Sequence, residues 1–246
     1  IQLIYWQYSY RKFKETHFKW IWDKYIWKDM SSFASWNITG DLAYMCNTQG
    51  INILLNLFFG PVVNAARGVA VQVESVMIQF IGNFQTAISP QITKSYAAGN
   101  IEQTRHLTLK ASKFCFFLMM IIAIPAFLEI EYVLKLWLQK IPTYTVIFAK
   151  LTIIMIIFDC LSRPLHLAIF ATGTVKKYQI IQSSIYLLIL PISYILLKNL
   201  HVTPNVIIGV LALFKFIVLT VRIKLTSTLI AIPINKYITN VLVPSV

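Results

Sequence analysis

Four long apolar runs limit what this chain can fold into: "FCFFLMMIIAIPAFL" (114–128), "TVIFAKLTIIMIIF" (145–158), "IYLLILPISYILL" (185–197) and "VIIGVLALFKFIVLTV" (206–221). With short extensions each reaches the roughly 20 residues that carry a helix across a bilayer core. One soluble core rarely holds several such blocks. Charge is correspondingly scarce: 13% of the 246 residues are charged, against about 25% in soluble domains. The expected class is all-α, a polytopic membrane helix bundle.

Hydropathy and turn signals place six spans near residues 30–59, 62–90, 107–128, 143–161, 179–197 and 204–221. Gly60-Pro61, "SYAAGN", Pro142, "ATGTVKK" and "NLHVTPN" punctuate them. The connections then sort by charge. One side carries Arg11, Lys12, Lys14, Lys19, Lys24 and Lys28 before the first span. It next receives Lys94, Arg105, Lys110 and Lys113, followed by Arg163, Lys176 and Lys177, and finally Arg222 and Lys224. The alternate connections carry only Lys135, Lys140 and Lys198. Strict alternation over six spans produces this asymmetry, and the basic side is assigned to the cytoplasm. The net charge of +13 is therefore spread between apolar blocks. A nucleic-acid binder gathers its charge into one patch, so nucleic acid is not an expected partner. The aromatic-basic run "HFKWIWDKYIWKDM" (17–30) suits a headgroup layer, with Trp and Tyr at the interface and Lys toward anionic lipid.

The first two spans differ from the rest. Asn37, Asp41, Thr48, Asn52 and Asn56 recur at spacings of four and seven, which places them on one helix face. Asn64, Gln72, Ser75, Gln79 and Thr86 form a second stripe with Gly68 and Gly82. Arg67 and Glu74 share an adjoining face, seven residues or about 10.5 Å apart by helical rise. A charge at mid-bilayer costs about 3 kcal/mol even on the lenient insertion scale, so neither is expected to face lipid. Two readings stand for the Asn, Gln and Ser side chains: hydrogen bonds between helices, or the lining of a wet cavity. For Arg67 and Asp41 cavity lining is the favoured reading. Asp159 and Arg163, spaced i,i+4, are expected to pair with each other. Lys150 and Lys215 remain open between snorkelling and the cavity.

The chemistry of sites is otherwise sparse. Cys46, Cys115 and Cys160 lie in apolar sequence without metal-ligand spacing and read as buried small hydrophobes. There is no GxxxxGK[ST], HExxH or GxSxG, and His17, His106, His166 and His201 are scattered. No metal, no cofactor and no catalytic constellation is expected. Asn37-Ile38-Thr39 matches a glycosylation sequon but falls inside a span. The opening "IQLIYWQYSYRKFK" puts its apolar part before its basic part, the reverse of a signal peptide.

The run "FASWNITGDLAYMCNTQGINILLNLFFGPVVNAARGVAVQV" resembles the opening of the C-terminal lobe of polysaccharide flippases. These belong to the superfamily that also contains the multidrug and toxic compound extrusion transporters. "FQTAISPQITKSYAAGN", "AIFATGTVKKYQI" and "LPISYILLK" are similar to later stretches of the same lobe. The resemblance implies one six-helix lobe of a two-lobed, alternating-access transporter in the bacterial inner membrane. Residues 1–29 would be the end of a preceding helix and the cytoplasmic inter-lobe linker, 30–226 the lobe, and 227–246 a truncated C-terminal segment. The N-terminal lobe of the same protein would be absent from this chain.

The implied function is flipping a lipid-diphosphate-linked oligosaccharide between leaflets for surface polysaccharide biosynthesis. Arg67 would pair with the diphosphate, the Asn and Gln stripes would meet sugar hydroxyls, and Asp41 or Glu74 could titrate in an ion-driven cycle. Two alternatives stand beside it. A drug/cation antiporter of the same superfamily requires an acidic, aromatic-lined pocket. A membrane scaffold requires no translocation path.

Overall fold

The computed structural model describes residues 2–13 and 22–242. His17, Lys14, Lys19 and the first part of the aromatic-basic run lie outside the described residues. Among the described residues the chain is entirely helical, without a strand: α1 (Gln2–Lys12), α2 (Lys24–Phe59), α3 (Pro61–Ala97), α4 (Ile101–Trp137), α5 (Thr145–Ala171), α6 (Val175–Leu200), α7 (Pro204–Leu229) and α8 (Ile234–Tyr237), followed by a π-helical turn, Ile238–Leu242. The chain divides into two compact units, residues 1–35 and 36–246. In the first, Trp6 stacks on Tyr10 at 5.6 Å, Trp22 on Trp27 at 5.0 Å, and Lys12 donates to the Tyr8 hydroxyl.

Local chemistry sets the helix boundaries of the second unit. Gly60 adopts a positive φ of 82°, and Pro61, which needs no hydrogen-bond acceptor, opens α3. Asn100 caps α4 by accepting from the Gln103 backbone N–H at 3.0 Å, with Glu102 in the positively polarised first turn. Pro204 opens α7. Pro90, Pro125, Pro164 and Pro191 lie inside α3, α4, α5 and α6. Interior prolines are unusual in soluble helices but are tolerated in membrane helices, where neighbours satisfy the freed backbone groups.

Four helices, α4 to α7, are long and apolar enough to cross a membrane. The helices α2 and α3 are as long but carry the polar stripes, which lower their hydropathy. On α4 the outer face exposes Phe114, Ile121, Ile124 and Leu128, with Ile121 at 72%. A contiguous apolar face of this kind suits acyl chains and not water.

The helices run past most of the expected span ends, α3 to Ala97, α4 from Ile101 to Trp137 and α7 to Leu229. The largest shift at a single end is in the fourth segment: the sequence places its end at residue 161, but α5 continues through Pro164 to Ala171. The Ser162-Arg163-Pro164 sequence looks like a loop signal, yet its backbone stays helical. Arg163 and Arg222 therefore lie within α5 and α7, and Lys94, Arg105, Lys110, Lys113, Lys135, Lys176, Lys177, Lys198 and Lys224 likewise sit in helices and not in connections.

The centre of the bundle is α5, packed against α3, α4 and α7. Its buried residues include Phe148, Ile153, Ile156 and Leu165. Against α6 lies α2, and their partners rise together along both chains: Asn37 with Gln179, Asn47 with Tyr186, Gly50 beside Leu190, Phe58 with Tyr194. The two helices are thus parallel. The same order holds for α5 and α7, through Asp159 with Lys215 and Ser162 with Arg222. Parallel neighbours an even number of helices apart, four for α2 and α6 and two for α5 and α7, are what an alternating up-and-down path produces.

Gly50 leaves room on α2 for the Leu190 side chain of α6. A Cβ there would lie 2.5 Å from Leu190 Cδ2 and 2.8 Å from its Cδ1. Gly50→Val is therefore expected to destabilise the bundle by about 1–3 kcal/mol through overpacking. A thermal-unfolding comparison in detergent checks this, with partial recovery expected from the added Leu190→Ala.

Candidate functional site

A cavity of about 380 Å³ opens within the second unit, lined from five helices. The second contributes Tyr44, Asn47 and Thr48, and the third Arg67, Glu74 and Gln79. From α5 comes Met155, from α6 Tyr186, and from α7 Leu211 and Lys215. Arg67 is only 8% exposed. Its Nε and Nη1 are buried without a hydrogen-bond partner, and among the described residues no carboxylate lies within ion-pair distance of it. A guanidinium with idle donors in an apolar setting is a costly arrangement, of the order of 1–3 kcal/mol for each unsatisfied group. Arg67 is among the residues lining the cavity, while Nε and Nη1 themselves are enclosed in the packing beside it.

Lys215 reaches the same cavity from α7. Its Nζ lies 2.6 Å from Asp159 Oδ2 on α5 and 5.8 Å from the centre of the Tyr44 ring. Tyr44 in turn meets Tyr186 edge-on at 5.4 Å. Arg67, Lys215 and Glu74 are the charged lining side chains, and with Asp159 neutralising Lys215 the two cations and two carboxylates balance.

A second polar cluster sits where α5, α6 and α7 converge. Arg222 donates from Nε to the Tyr178 hydroxyl at 2.9 Å, from Nη1 to Ser162 Oγ at 2.7 Å and from Nη2 to Gln182 Oε1 at 3.0 Å. His166 Nδ1 joins the Tyr178 hydroxyl at 2.8 Å, and that hydroxyl also donates to Gln182. All donor directions of this arginine that carry a partner end on neutral groups, so the cluster ties three helices together without a counter-ion.

Of the polar residues singled out in the sequence, the structure brings Thr48, Arg67, Glu74, Ser75 and Gln79 into the cavity. Asn37 instead accepts from Gln179 Nε2 at 3.0 Å, an interhelical bond between α2 and α6. Asp41, Asn56 and Gln72 are exposed, while Asn52 and Asn64 are half-buried; none of the five lines this cavity.

Three further expectations change. Asp159 pairs with Lys215 across helices and not with Arg163 on its own helix. Cys46 is exposed, whereas Cys115 and Cys160 are buried, with Cys160 Sγ donating to the Cys115 carbonyl at 2.9 Å. Arg222 is buried rather than sited in a connection. Sequence reading leaves Lys215 open between snorkelling and the cavity, which the structure resolves in favour of the cavity, and it misses Arg222 as a buried hub. A usable signal existed for the first: opposite charges isolated in two apolar runs, Asp159 and Lys215, call for each other.

Together these features define a class: an all-helical chain with four helices able to cross a membrane, as a multi-pass membrane protein requires, enclosing a charged cavity. No family model, curated protein or solved structure matches the chain. Among the described residues no group of three or more His, Cys, Asp or Glu side chains gathers as a metal site.

Proposed function

We propose that this chain is one six-helix lobe of a two-lobed, alternating-access flippase in the bacterial inner membrane, moving a lipid-diphosphate-linked oligosaccharide between leaflets. The observation that carries the reading is Arg67, buried beside a cavity with two unpartnered nitrogens. A diphosphate supplies what that guanidinium lacks: paired anionic acceptors in the geometry a planar fork matches. The exposed polar residues of α2 and α3, Asp41, Asn56 and Gln72, support the same reading. Side chains of this kind suit a wet path and a facing second lobe better than lipid. A cation antiporter finds Glu74, Tyr44 and Tyr186 in the cavity, but Arg67 and Lys215 oppose a cation there.

Arg67→Ala in the full-length protein tests the proposal. Loss of a charged hydrogen-bond donor worth about 1.5–3 kcal/mol predicts roughly a tenfold or greater fall in surface-glycan export at matched expression. Unchanged export would remove Arg67 from the mechanism.

A further inference from the structure

A groove runs along the seam between α2 and α6 and shares no lining residue with the Arg67 cavity. Gly50, Ile53 and Leu54 of α2 and Leu190, Pro191 and Tyr194 of α6 bound a volume of about 370 Å³. It lies on the outside of the bundle, with Ile53 66% and Tyr194 41% exposed. The Tyr194 hydroxyl is the one polar group that these six side chains offer. Walls of this kind take hydrocarbon and give a sugar or a peptide nothing to bond. The groove is not apolar at both ends. Lys198, one turn beyond Tyr194 in the last turn of α6, leans back so that its Nζ lies 5.6 Å from the centre of the Tyr194 ring. That ring in turn meets Phe58 of α2 edge-on at 6.1 Å. Lys198 is exposed, and among the described residues no carboxylate lies within ion-pair distance of it. Lys135, near the C-terminal end of α4, is by contrast committed to Glu131 at 2.7 Å.

We propose that the α2–α6 groove is a binding site for one resident anionic phospholipid, with an acyl chain against Ile53, Leu54 and Leu190 and the phosphate at Lys198 and the Tyr194 hydroxyl. The pairing of an apolar trough with an uncommitted ammonium and a phenol is complementary to a lipid chain and its charged head. Charge selects among lipids. A zwitterionic head brings its own ammonium against Lys198, and an anionic head does not. The last carbonyls of α6 carry partial negative charge, so an anion settles there only because Lys198 is present. The site requires that the chain cross a membrane, and it requires neither Arg67 nor the flippase reading.

The test is photo-crosslinking of the full-length protein in nanodiscs of phosphatidylcholine. Each preparation carries the same small fraction of one probe, phosphatidylglycerol or phosphatidylcholine with a diazirine in its acyl chain, and peptide mass spectrometry maps the adducts. On peptides containing Ile53, Leu54 or Leu190 the anionic probe is expected to label about fivefold more than the zwitterionic one, the ratio that one lysine near the surface supplies. At Leu213, 57% exposed on α7, the ratio should be near one. Lys198→Gln is expected to bring the groove ratio to about one, whereas Lys198→Arg and Lys135→Gln should leave it unchanged. Thermal unfolding verifies that these surface variants are folded. Equal labelling of the groove by both probes, or a preference that survives Lys198→Gln, overturns the proposal. Absence of groove labelling by either probe overturns it too, since another protein surface would then cover the seam. Arg67→Ala should leave the ratio as it is, so a failure here and a failure of the flippase reading are seen separately.

Discussion

Asp159→Leu is expected to lower the stability of the bundle by about 3–5 kcal/mol, because it leaves the Lys215 ammonium buried without its counter-ion. The pair is close, at 2.6 Å, and its side chains are only 16% and 13% exposed for Lys215 and Asp159. It joins α5, the centre of the bundle, to α7. Replacing both partners removes the charge problem and the attraction together. The double variant Asp159→Leu with Lys215→Met is therefore expected to recover most of the loss. Unfolding of the purified protein in detergent, followed for both single variants and the double, measures the coupling. Additive single effects would mean that the two charges do not interact in the folded bundle. Glycan export separates stability from function: the double variant should fold yet export poorly, since the cavity has lost a cation.

A comparable loss, about 3 kcal/mol, is expected for Arg222→Met. Three hydrogen bonds from a charged donor disappear, each worth roughly 1.5–3 kcal/mol. Part of this is offset because the acceptors keep other contacts. Tyr178 still meets His166, and Ser162 still donates to the Asp159 carbonyl at 3.2 Å. Arg222→Lys should restore less than half. A single ammonium cannot reach the Tyr178, Ser162 and Gln182 oxygens, which lie in the separate directions of a guanidinium fork. Full recovery by lysine would show that charge alone, without the fork, holds α5, α6 and α7 together.

The main lines of the fold were legible in the sequence because they depend on one-dimensional signals. Apolar length, Gly60-Pro61, the "ATGTVKK" turn and Pro204 fall where α2 to α7 begin and end. The misplaced end of α5 has a local cause: Ser162-Arg163-Pro164 carries every sign of a break, but Arg222 donating to Ser162 supplies a tertiary reason to stay helical. The site was only partly legible. Arg67 and Glu74 stand out because charge in apolar sequence is conspicuous. The direction in which Asp41, Asn52 or Asn64 points depends on how α2 and α3 rotate against their neighbours. Periodicity gives the relative angle of residues on one helix but not the absolute rotation of the helix in the bundle. The pairing of Asp159 with Lys215, 56 residues apart, likewise needs the helix arrangement.

Water access to the Arg67 cavity is the property on which the proposed flipping depends. In a cysteine-free background of the full-length protein, single cysteines at Thr48 and Gln79 line the cavity, and one at Ile121 on the exposed apolar face of α4 serves as the control. Labelling of intact cells and of inverted membrane vesicles with a hydrophilic maleimide is expected to modify positions 48 and 79 from at least one side while sparing position 121. If 48 and 79 stay as unreactive as 121 from both sides, the cavity is a dry packing defect and the translocation account is wrong.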